Sequence, residues 1–97
     1  MTPFRPDIPP HVADVIRSLH PDLKRSIKSA IRAIVANPQY GEPLKRELDG
    51  LRKYRVRRFR IVYAIHQKTR TIRLMAVGHR RSVYEELTER IRRKTSE

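Results

Sequence analysis

The chain has 97 residues, a net charge of +13, 38% hydrophobic and 34% charged residues, and no cysteine. That length allows one domain with one buried core, covering residues 1–97, and the composition is that of a folded chain rather than a disordered one. Disulfides and thiolate metal sites are excluded, no apolar run is long enough to span a membrane, the proline-broken start has no signal-peptide core, and so large a positive charge calls for an anionic partner.

Phe4 to Ile8 reads as a short edge strand, because Pro6 cannot donate to a ladder. Pro9 and Pro10 suit the first turn of a helix, and Val12, Val15, Ile16 and Leu19 follow at helical spacing, predicting a helix over Pro10 to Leu19 with one buried face. His20-Pro21 breaks it and opens a second helix. There Leu23, Ile27, Ala30, Ile31, Ile34 and Val35 form an apolar stripe opposite Lys24, Arg25, Lys28 and Arg32, and Asn37-Pro38 ends it. A connector follows with Gly41, Pro43 and an Asp49-Gly50 turn, and Leu44, Leu48 and Leu51 can tie it to the core.

The most informative stretch is Lys53 to Ile65, KYRVRRFRIVYAI, where β-branched and aromatic residues alternate with long polar ones. Every charged residue from Arg52 to Arg60 is positive, and such a row repels itself unless an anion lies across it. Two strands are predicted here. A bulged or bent single strand is the alternative to a hairpin, because no Gly, Asn or Asp stands between Arg57 and Phe59. Tyr54 and Tyr63 read as core. Gln67 to Arg70 is a turn, and Thr71 to Gly78 is a strand with Ile72, Leu74 and Ala76 on one face and Met75 and Val77 on the other. Ser82 and Glu85 have capping-box spacing, and Val83, Leu87 and Ile91 predict a last helix from Val83 to about Arg93. The order predicts an α+β fold: an N-terminal helical hairpin and a C-terminal helix around a small, mainly antiparallel, twisted sheet of three to four strands. The helices are expected on one sheet face and the arginines on the other.

Tyr54-Arg55-Val56-Arg57, then Phe59-Arg60-Ile61-Val62-Tyr63, then Val77-Gly78-His79-Arg80-Arg81-Ser82-Val83-Tyr84-Glu85, after a helical hairpin ending in Asn37-Pro38, resemble the RelE/ParE superfamily of toxins from toxin–antitoxin pairs, and RelE more than ParE. The resemblance implies a RelE-like fold and a cytoplasmic endoribonuclease that enters the ribosomal A site, cuts mRNA there and so inhibits translation. It implies a cognate acidic antitoxin, the ribosome and mRNA as partners, with no membrane, cofactor or small-molecule substrate. ParE-type proteins of the same superfamily bind DNA gyrase instead, and a basic nucleic-acid-binding module without a catalytic site would also explain the charge.

Cutting RNA requires activation of the ribose 2′-oxygen, neutralisation of the phosphate and stabilisation of the leaving 5′-oxygen. The four histidines are far apart in sequence and the carboxylates show no paired motif, so metal-independent chemistry is expected, with no metal ligands. Arg60 and Arg80 match the RelE arginines and are expected to clamp the phosphate; Tyr84 matches the family's tyrosine and is expected to meet a base or the 2′-hydroxyl. Lys53, Arg55, Arg57, Arg58 and Arg81 are expected to bind RNA phosphates. Arg55 and Arg57 fall where RelE has lysines, and arginine cannot serve as a base. His79, beside the motif, is the remaining candidate for proton transfer.

Overall fold

The computed structural model describes residues 3–95, of which 94 and 95 are described by backbone alone. A three-residue strand β1 (Arg5–Asp7) leads into helices α1 (Pro10–Arg17) and α2 (Pro21–Ala36). A connector carrying the two-residue strand β2 (Glu42–Pro43) follows, then β3 (Arg52–Val56), β4 (Phe59–His66), β5 (Thr71–His79) and α3 (Val83–Thr95). Pro10 and Pro21 each occupy the start of a helix, where a missing N–H is no loss. His20 Nδ1 caps α2 by accepting from the Asp22 N–H at 3.3 Å.

The strands order as β1-β5-β4-β3-β2, five in all, with β1 parallel to β5 and the other pairs antiparallel. The expected α+β class holds. The additional strand is β2, too short for any side-chain period to reveal and ending on a proline that an edge tolerates.

The helices do not share one face. Val12 and Ile16 of α1 and Ile27, Ile31 and Ile34 of α2 pack on Val56, Ile61, Tyr63, Ile72, Leu74 and Val77. Val83 and Leu87 of α3 pack with Leu48 on the opposite face, against Val62 and Ala76. The expectation of one covered and one arginine-lined face is therefore corrected: α3 and the connector leucines cover much of the second face, and the cations share what is left.

The expected alternation in β5 is corrected too. The β4–β5 register runs Val62↔Ala76 and then Tyr63↔Leu74, which leaves Met75 as the extra residue of a β-bulge. Met75 and Ala76 consequently both lie on the α3 side, while Ile72, Leu74 and Val77 lie on the other. One inserted residue reverses the parity, which no two-residue period can foretell.

Between β3 and β4 the chain makes a two-residue hairpin at Arg57 and Arg58, with Val56 opposite Phe59. Arg57 has φ +55°, whereas Arg58 is not among the residues of positive φ. That is the φ pattern of a type II′ turn, which usually has glycine first. An arginine held there costs about 1 kcal/mol or more, so the tertiary contacts of the turn, and not its own propensity, close the hairpin.

The connector is held by one buried side chain. Tyr63 has no exposed surface; its hydroxyl donates to the Pro38 carbonyl at 2.7 Å and accepts from the Gly41 N–H at 2.9 Å. Arg52 completes the clamp, donating to the Gly41 carbonyl at 2.6 Å and to Gln39 Oε1 at 2.8 Å. Gly41 is required at this close approach, because a Cβ would run into the Tyr63 hydroxyl and the Lys53 carbonyl.

Tyr63→Phe strands the Gly41 N–H and the Pro38 carbonyl, and is expected to cost about 1–3 kcal/mol, read as a lower urea midpoint with unchanged slope. At the hairpin, Arg57→Gly is expected to be more stable than Arg57→Ala by about 1 kcal/mol, since only glycine relieves the left-handed strain.

Candidate functional site

Alternation along β3 sends Tyr54 and Val56 into the α1/α2 core and leaves Lys53 and Arg55 on the α3 face. Arg55 stands directly opposite Arg60 of β4, and Lys53 opposite Val62. Like charges facing each other across a ladder are destabilising by a few tenths to about 1 kcal/mol. With Glu42 of β2, the three cations line a cavity of about 100 Å³.

Two contacts preorganise Arg60. Its Nη1 donates to the carbonyls of Phe59 at 2.8 Å and Arg57 at 3.1 Å, so the strained hairpin supplies acceptors that hold the guanidinium. The Lys53 ammonium stands over the Tyr84 ring, 6.0 Å from its centroid. Tyr84, in the first turn of α3, has its hydroxyl buried with no partner at ordinary hydrogen-bond distance, and the Arg60 guanidinium is its polar neighbour. Burial raises the phenol pKa above its ordinary 10.0, while the neighbouring Arg60 charge pulls it back and Glu42 adds to the rise. As it stands, the hydroxyl is closed off from solvent, so contact with a ribose would require the cations around it to move.

Glu42 is the group the sequence reading missed. β2 pairs it with Lys53, and its Oε2 lies 3.9 Å from Nζ. The only signal was a carboxylate next to a proline in a connector; the pairing that brings it to the cations is tertiary.

The remaining candidates lie apart from this cavity. Arg80 is exposed, and its backbone N–H donates to the Arg58 carbonyl at 2.7 Å, tying the end of β5 to the hairpin tip. Arg57 borders the groove between β3 and α2, and with Arg58 it borders Leu23 and Phe59. His79 pairs with Phe59, one position out of step with the Arg60↔Gly78 pair, so its ring lies on the face away from Arg60. It packs edge-on against the Phe59 ring at 5.9 Å. Its Nδ1 accepts from the Arg81 N–H at 3.2 Å, and its carbonyl accepts from the Ser82 N–H at 3.0 Å, so it shapes the turn into α3. Tyr54 is half-buried against the α1/α2 core. No three His, Asp or Glu side chains converge as a metal site among the described residues.

Arg60→Ala is expected to raise the Tyr84 pKa further, since it removes the charge that opposes burial; ¹³C resonances of labelled tyrosine follow this directly. The phenols of Tyr63 and Tyr84 are both raised, chiefly by burial. The unfolded chain therefore loses these protons first, and stability should fall as the pH rises past about 10 and through the folded-state values.

A family model described as ParE-like toxin of type II bacterial toxin-antitoxin system matches residues 8–88. No curated protein matches. Among solved structures, the chain is similar to one from the toxin–antitoxin complex RelBE2 of Mycobacterium tuberculosis, with 25% identity and a TM-score of 0.73 over 81% of this chain and 93% of that one. It is also similar to a double arginine-to-alanine variant of Escherichia coli RelE in the free state, with 19% identity and a TM-score of 0.74 over 93% and 99% of the two chains. A chain of the archaeal RelE–RelB complex from Pyrococcus horikoshii matches with 19% identity and a TM-score of 0.67 over 81% and 97%. The chain belongs to the ParE-like toxins of type II bacterial toxin–antitoxin systems, within the RelE/ParE superfamily, and its fold is that of the RelE toxins.

Proposed function

We propose that this toxin is a ribosome-dependent endoribonuclease that cuts mRNA in the A site with its own side chains, without a metal, and so blocks translation in the cytoplasm. The observation that carries this reading is the facing Arg55–Arg60 pair with Lys53 beside it, three cations on one sheet face above the buried hydroxyl of Tyr84. Such a cluster is unfavourable when empty and favourable around a phosphate, whose charge grows as the transition state forms.

The reaction is an internal transesterification. The 2′-oxygen loses its proton and bonds to phosphorus, the bond from phosphorus to the 5′-oxygen breaks with its electron pair on oxygen, and that oxygen takes up a proton. The products are a 2′,3′-cyclic phosphate and a 5′-hydroxyl, with no further reactant. Arg60, held by the hairpin carbonyls, is suited to bidentate contact with the phosphate; Arg55 and Lys53 flank it; Arg80, at the hairpin tip, extends the cationic surface along the RNA. His79 acts from the other face by setting the turn that carries Arg80 and Tyr84. The antitoxin expected on this surface is acidic, and solved neighbours of the fold are held in complexes with RelB antitoxins. The family description favours a second reading, a gyrase-binding toxin of ParE type.

Purified ribosomes programmed with mRNA separate the two, because only the first yields new 5′ ends at the A-site codon. Arg60→Ala is expected to lower the single-turnover rate by about a hundredfold or more. Arg32, exposed on α2, is expected when changed to Ala to weaken binding and reduce the salt slope by about one without altering the rate of the bound complex. Equal effects from both, or supercoiling inhibition without cleavage, would remove the endoribonuclease reading.

A further inference from the structure

We propose that the groove between α2 and β3 is a second RNA subsite, which takes the mRNA on the 3′ side of the scissile phosphate after the strand has rounded the open sheet edge at Arg55. This rests on the endoribonuclease reading and extends its substrate contacts. The cavity at Arg55 and Arg60 measures about 100 Å³, room for a phosphate but not for the nucleotide beside it. The groove measures about 530 Å³, within the roughly 300–1,000 Å³ of sites that hold small organic ligands. Arg55 lines both, so the two are continuous.

The continuity follows from the shortness of β2. It pairs with Arg52 and Lys53 and stops, so among the described residues no strand covers the outer edge of β3 from Tyr54 onward. Val56 and Phe59 close the two-residue hairpin, so by alternation the N–H and carbonyl of Arg55 point away from β4, out of that edge. The bond from the Leu44 N–H to the Leu51 carbonyl agrees, since Leu51 has the same parity as Arg55 and faces β2. An N–H there suits a phosphate oxygen and a carbonyl suits a 2′-hydroxyl, a pair of contacts that RNA can satisfy and DNA cannot.

The walls suit a nucleic-acid strand. Arg25, Arg55 and Arg57 are exposed, and these three guanidiniums face one carboxylate, Asp22, which Arg25 already engages. Ser29 and Ala33 keep the α2 wall low, and Tyr54 is the aromatic of the lining, a surface on which a base can stack. An acidic peptide would meet the same arginines, but only a strand that also reaches the scissile phosphate uses the connection through Arg55. The flank is the 3′ one because the 5′ side of an A-site codon is held by pairing in the P site.

Cleavage by the full chain on ribosomes carrying mRNAs that end just past the cut, or run well beyond it, tests this. Shortening the mRNA is expected to raise the toxin concentration for half-maximal rate by about tenfold, as loss of a charge-assisted contact does, with the saturated rate unchanged. Arg25→Ala is expected to raise it similarly on the long mRNA and to show no further loss on the short one. Ser29→Glu, which sets a carboxylate in the groove at an exposed helical position, should do the same. Arg32→Ala, exposed on α2 outside the groove, should weaken both mRNAs alike. If shortening changes nothing for the unaltered chain, or if the losses from shortening and from Arg25→Ala multiply, the groove does not hold the mRNA flank and the proposal falls, while cleavage at the A site leaves the endoribonuclease reading standing. Absence of cleavage by the unaltered chain would remove both.

Discussion

The Tyr63 hydroxyl is the point on which the site depends. It is the one polar atom of a side chain otherwise enclosed by the α1/α2 core, and it reaches past the end of α2 to hold Pro38 and Gly41. A buried phenol hydroxyl without partners is costly, so core and connector impose each other: the core needs the connector's backbone to satisfy the hydroxyl, and the connector has few apolar contacts of its own apart from its leucines. With Gly41 fixed, β2 can only lie along Lys53. That short pairing brings a carboxylate to a row of cations.

The cationic face is a local cost to stability. Arg55 opposite Arg60, beside Lys53 and Glu42, replaces the mixed charges an ordinary solvent face would carry. The hairpin adds left-handed backbone at Arg57. Both features concentrate near the same spot, and the strain is not idle, because the carbonyls of Arg57 and Phe59 hold the Arg60 guanidinium and the Arg58 carbonyl holds Arg80. A flexible glycine turn would fold more easily and present its acceptors less rigidly. Preorganisation of donors toward a developing charge is where electrostatic catalysis obtains most of its effect.

α3 has two roles here. Val83 and Leu87 seal the second face of the sheet, and the same first turn delivers Tyr84 beneath Lys53. The bulge at Met75 makes the first role possible, since two adjacent residues of β5 then serve the α3 side. An antitoxin that covered the cations would also remove the electrostatic cost of the bare surface, so inhibition and stabilisation would come from the same contacts.

The sequence by itself determined the three helices, the three long strands and their order. The helical stripes, the proline starts and the Asn37-Pro38 stop depend on local spacing and local backbone chemistry, and the helices and three long strands lie where these signals put them. It also marked Lys53, Arg55 and Arg60 as cations of one stretch, because a run of a single charge sign is visible without any fold. Tertiary structure decided the rest. Which side of the sheet α3 covers depends on core packing, the parity change at Met75 on strand register, and the closing of an arginine hairpin on the bond from the Arg80 N–H to the Arg58 carbonyl. The separation of His79 from Arg60 follows from strand alternation once the register is set, and the approach of Glu42 to Lys53 from a hydrogen bond made by Tyr63, distant in sequence. These are relations between segments far apart along the chain, and local propensity carries no record of them.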